Sequence, residues 1–142
     1  GAEIGRDEAI HGMKEAMKGH PELMALIDGK RRPVEECKND YLSEMKFCTS
    51  NPEVARIFAD GLLKAMEANP TQVMWPISPS DGGGWCQCEK CSATDEPCGW
   101  PGAGGNKSLS PRVFEFYNAV ARIVREPPSS ALRAAPKNFL GG

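Results

Sequence analysis

The chain has 142 residues, a formal net charge of −2 and an apolar fraction of 40%, enough for the modest core of one domain and too short for two. Its charges are mixed, with no basic stripe for nucleic acid and no acidic solvating tail. No apolar run approaches the roughly 20 residues that span a bilayer, and the first eight residues lack the charged-then-apolar order of a signal peptide.

Residues Asp7 to Lys18 read as a short amphipathic helix, with Ile10, Met13, Ala16 and Met17 on one side and His11 solvated. Gly19 ends it, and His20-Pro21 bars continuation. Glu22 to Ile27 is a second apolar piece, closed by Asp28-Gly29. Lys30 to Tyr41 is polar and reads as a loop. The strongest helix runs from Pro52 to Ala68: Asn51 is placed to cap it, and Pro52 suits a first helical position, where no amide hydrogen is needed. Val54, Ile57, Phe58, Gly61, Leu62, Ala65 and Met66 form its apolar stripe, and Asn69-Pro70 stops it.

Val73-Met74-Trp75-Pro76-Ile77 reads as a buried strand, with Trp75 in the core and Pro76 demanding an edge or a bulge. One strand cannot form a sheet, so either weaker strands lie near Phe47-Cys48 and elsewhere, or the chain is a piece of a larger fold. A long loop rich in Gly, Ser, Pro and Cys follows, from Pro79 to Leu109; loops of that length in a compact domain are usually functional or disordered. Ser110 is placed to cap the last helix, with Pro111 at its first position, and the stripe reads Val113, Phe114, Tyr117, Val120, Ala121 and Val124. Pro127-Pro128 ends it. The organisation is therefore one domain over residues 1–128, with a loose tail over 129–142.

The chemistry gathers in the long loop. Ser80-Asp81-Gly82-Gly83-Gly84-Trp85-Cys86-Gln87-Cys88-Glu89-Lys90-Cys91 combines a carboxylate, a glycine hinge, an indole and three thiols. Thiols at such spacing suit zinc, which takes a tetrahedron of soft ligands; Cys37, Cys48 or Cys98 would supply the fourth. Six cysteines equally suit a disulfide framework, and the spacing leaves both readings open. Asp81 lies just past the apparent strand, where α/β folds place binding and catalytic groups; an Asp-Gly turn explains it equally well. Trp85 and Trp100 are either stacking platforms for sugar rings or a roof over a small core.

Four blocks in order carry a resemblance: His20 to Arg31, Phe47 to Val54, Ser80 to Cys91, and Arg112 to Ala121. Over about residues 20–125 the chain resembles domain-of-unknown-function family 4838, whose members occur in large, mostly exported bacterial proteins related to carbohydrate breakdown. The family looks like a relative of glycoside hydrolases with a (β/α)8 barrel, such as the hexosaminidase and α-glucuronidase groups. The resemblance implies an α/β fold, and since a whole barrel needs about 200 residues or more, a partial or truncated barrel-like unit with a helix–strand–long loop–helix core. It implies Asp81 as a catalytic or sugar-binding carboxylate, and His20 and Arg31 as contacts to a sugar hydroxyl and a sugar carboxylate. Trp85 and Trp100 would stack on a glycan. It groups Cys48 with Cys86, Cys88 and Cys91, as a disulfide staple or a structural zinc site, and leaves Cys37 and Cys98 outside. The implied location is secreted or periplasmic, the implied partners a glycan and the remainder of a larger barrel, and the chain alone would be inactive. The alternative is a non-enzymatic, zinc-stabilised protein-interaction module built on Cys86-x-Cys88-x-x-Cys91.

Overall fold

The computed structural model describes residues 12–37, 46–75, 77, 83–97 and 107–126. Residues 12–17 are helical (α1), and Met13 and Met17 are buried while Ala16 is exposed. Gly19 ends the turn at φ +74, a left-handed conformation that favours glycine.

The segment read as a polar loop starts as a hairpin. Strand β1 (Leu26–Ile27) pairs antiparallel with β2 (Lys30–Arg31). Asp28 and Gly29 turn between them, both at positive φ (49 and 77), which is the geometry that matches strand twist in a two-residue hairpin. One antiparallel bridge joins Met24 to Phe47. A second small ladder pairs β3 (Glu96–Pro97) with β4 (Lys107–Ser108). Among the described residues, strand pairing is antiparallel throughout.

Helix α2 (Pro52–Ala68) has the bounds its sequence announces: the Asn51 side chain accepts the Glu53 N–H at 3.0 Å, and Pro52 fills the first position. Its burial is wider than one stripe. Ala55, Ala59 and Leu63 are buried along with Val54, Ile57, Gly61, Ala65 and Met66, so neighbours cover it on more than one side. After the single turn of α3 (Glu89–Ser92), helix α4 (Ser110–Arg125) packs against α2. Phe58 meets Phe116 edge-on with centroids 5.4 Å apart, a geometry favoured by the ring quadrupoles.

Three expectations need correcting. The inward residues of α4 are Arg112, Phe116, Val120 and Val124, while Phe114 is 66% exposed; the expected stripe holds at Val120 and Val124 but passes over Arg112, because that buried residue carries a charge. The cap is also displaced: Leu109 holds that position, and the Ser108 hydroxyl accepts the Ser110 N–H. Further, residues 72–75 form no strand, and Val73 and Met74 are exposed. No described segment pairs with them, and hydrophobicity alone does not make a strand without a neighbour. Trp75 and Ile77 still pack, partly buried, on the main core.

The helices enclose that main core, which includes Met17, Leu23, Val34, Val54 and Val120. A second, smaller cluster consists of Ala25, Cys48, Cys86 and Cys91, with Leu26, Ile27 and Cys88 against it. Phe116→Ala is expected to lower stability by about 3–5 kcal/mol, and Phe114→Ala to stay within about 0.5 kcal/mol, as measured by urea denaturation.

Candidate metal centre

Three separate segments build the small cluster. Cys48 follows the bridge at Phe47 and precedes the α2 cap. Cys86 and Cys88 lie in the extended stretch before α3, and Cys91 is within that turn. Main-chain bonds sew the segments around β1. The Ala25 N–H donates to the Lys46 carbonyl at 3.0 Å, the Cys48 N–H to the Leu23 carbonyl at 2.8 Å, and the Gln87 N–H to the Leu26 carbonyl at 2.7 Å. The Gln87 side chain accepts the Asp28 N–H at 2.9 Å. Gly84 turns the chain at φ +82, a left-handed conformation that favours glycine; a Cβ there would only touch Ile27 Cδ1 at 3.5 Å and Lys46 Cγ at 3.6 Å.

The result is four sulfurs, on Cys48, Cys86, Cys88 and Cys91, all within 4.8 Å of one another. Cys48 Sγ lies 3.8 Å from Cys88 Sγ and 4.0 Å from Cys91 Sγ. In a tetrahedral zinc site with bonds of about 2.3 Å, sulfurs stand about 3.8 Å apart. The five described cysteines are all free thiols. Cys37 belongs to the main core instead, and Cys98 lies outside the described residues.

The surroundings favour anionic sulfur. The Leu26 N–H donates to Cys86 Sγ at 3.3 Å, and the Ser50 hydroxyl stands 3.7 Å from Cys88 Sγ and 3.5 Å from Cys48 Sγ. The Cys91 thiol donates to Ser50 Oγ at 3.2 Å. Cys48 is pulled down to about 4, first by the hydrogen bond from Cys91 and then by Ser50 and Arg31, against the opposing effect of burial. Cys91 is pushed up, because it holds the proton that Cys48 shares and because it is buried. Burial pushes Cys86 up as well. At Cys88 burial acts the same way, but the Cys91 N–H and Ser50 outweigh it and the thiol is lowered. One thiolate thus suppresses ionisation of its neighbours, and a divalent cation at the centre would let all four ionise.

Arg31 joins this group. It is half-buried, and one guanidinium nitrogen donates to the Met24 carbonyl. Burial works against its charge, but Cys48, Cys86 and Cys88 outweigh that and raise its pKa. Trp85, half-buried, carries the Lys46 ammonium 4.6 Å from its ring centroid. His20 is exposed, and its Nδ1 bonds Glu22 at 2.8 Å. Asp81 and Trp100 lie outside the described residues. Sequence reasoning missed Ser50 and Arg112. Arg112 is buried and bonds both Asp95 and the Cys86 carbonyl. Its signal was a charged residue in the first turn of an amphipathic helix, just after the cysteine-rich loop.

Comparison with known proteins follows the same blocks. Residues 8–135 match the family described as "Domain of unknown function (DUF4838)". The chain belongs to that family. No curated protein and no solved structure matches this DUF4838 domain. No helix among its described residues is long and apolar enough to cross a membrane. Without reductant, in denaturant with a chelator, Cys37, Cys48, Cys86, Cys88 and Cys91 are each expected to take up one alkylating group, read by peptide mass spectrometry.

Proposed function

We propose that this DUF4838 domain is a zinc-stabilised, non-catalytic module in which Cys48, Cys86, Cys88 and Cys91 hold one Zn2+. One observation carries the reading: the four sulfurs share one space, at separations that fit the edges of a zinc tetrahedron. Four protein ligands close such a site and leave no position for water or substrate, the mark of a structural rather than a catalytic centre. The metal would fasten the extended stretch from Gly84 to Cys88 to the β1–β2 hairpin and to the start of α2. The domain would then work by presenting a fixed surface to a protein partner.

Native mass spectrometry of the purified chain is expected to show one zinc, removable by a strong chelator. Removal is expected to lower the thermal midpoint, because structural zinc contributes directly to folding. Cys91→Ser should abolish stoichiometric zinc. A chain that carries no metal, and whose midpoint ignores the chelator, would end this reading.

A second reading is favoured by the open cleft beside the glycine-rich loop. Gly83 and Gly84 line it together with Met24, Ile27, Arg32, Lys46 and Cys37, and its volume is about 160 Å3. Ligand pockets usually exceed about 300 Å3, so only a small group fits, such as the carboxylate end of one acidic sugar beside Arg32 and Lys46. On this reading the domain is part of a secreted, glycoside-hydrolase-like barrel. Asp81 is then its carboxylate, His20 and Arg31 are polar contacts, and Trp85 and Trp100 are stacking platforms. Asp81→Asn should then weaken glycan binding at least tenfold in calorimetry with acidic oligosaccharides. Equal affinity of the two forms removes Asp81 from the site.

A further inference from the structure

We infer that Arg112 is a positioning residue for the metal centre, tying both flanks of the Cys86–Cys91 segment to the first turn of α4. The inference rests on the zinc reading and deepens it by naming what holds the ligands in place.

Arg112 is 4% exposed. Its Nε donates to Asp95 Oδ1 at 2.6 Å, its Nη2 donates to Asp95 Oδ2, and its Nη1 donates to the Cys86 carbonyl at 2.8 Å. The first two bonds form a planar fork on a carboxylate, a match that arginine makes and lysine does not. The third bond reaches the main chain of a ligand residue. Asp95 stands just beyond α3, where its N–H donates to the Ser92 carbonyl. One side chain therefore grips the loop at its first sulfur and again just after its last. Burying a guanidinium is costly unless it is fully paired, and here the fork and the carbonyl supply that pairing. Burial opposes the charge, and Asp95, with Cys91 and Cys86 behind it, outweighs burial and keeps it favoured. With Zn2+ bound, a cation in this position would face the net negative charge of a four-thiolate centre.

An ion pair that merely supports the fold would affect stability. A positioning residue also affects the metal. Outer partners of metal ligands typically change affinity by about 10–100-fold. Co2+ is the probe, because its absorption spectrum reports sulfur ligation and geometry, and competition with a chelator gives affinity. The reduced full chain is compared with Arg112→Lys, Arg112→Met, Asp95→Asn and the Arg112→Met/Asp95→Asn pair, with circular dichroism to confirm helicity. Arg112→Met is expected to weaken Co2+ binding about 10–100-fold and to shift its spectrum. Arg112→Lys should recover part of the loss, and adding Asp95→Asn to Arg112→Met should cost little more. Should Arg112→Met fail to fold, Arg112→Lys decides. Helical variants that bind Co2+ with wild-type affinity and spectrum overturn the inference while leaving the zinc reading intact. A wild-type chain that takes up no Co2+ overturns both.

Discussion

Four thiols enclosed in one buried space form the constraint around which this domain is arranged. Sulfurs that close cannot all ionise, because each thiolate raises the cost of the next. The burden falls unequally: the shared hydrogen bond favours charge on Cys48 and the proton on Cys91. Against burial, three neighbours support negative sulfur: the Leu26 amide, the Ser50 hydroxyl and the Arg31 guanidinium. A neutral, purely apolar cluster would need none of these donors.

The helical pair supplies the rigidity on which that cluster depends. Helix α2 begins four residues after Cys48, and its start is fixed by the Asn51 cap and Pro52. Helix α4 begins beside the loop and sends Arg112 back into it. The two helices share one core through Phe58 and Phe116. Placement of the sulfurs is therefore referred to a packed interior, although three of them sit in a region with little regular structure.

How much of this the sequence shows depends on whether the cause is local. Helix α2 was legible to the residue, because a cap, a proline and a helical period all act within the element itself. The grouping of Cys48 with Cys86, Cys88 and Cys91 was also legible, through the family resemblance rather than the spacing alone. The start of α4 was not: Val120 and Val124 were in the expected stripe and are buried, but Arg112 faces inward because of Asp95, a partner 17 residues away, and no apolar pattern encodes a buried charge. The hairpin at Asp28-Gly29 carried a recognisable turn pair, but its strands, at two residues each, are too short to show alternation. At Val73 and Met74 the composition favoured a strand, and the described residues give it no neighbour.

The sequence distance between Cys48 and the other three ligands has a further consequence, for the unfolded chain. Cys48 and Cys91 are 43 residues apart, and the interval contains the whole of α2. A metal gripping both ends would close that interval into a ring, as a disulfide does, and remove conformations from the denatured ensemble. For a ring of this size the chain-entropy relation gives about 4 kcal/mol. The centre would thus stabilise the helix without touching most of it, by denying the disordered chain its freedom.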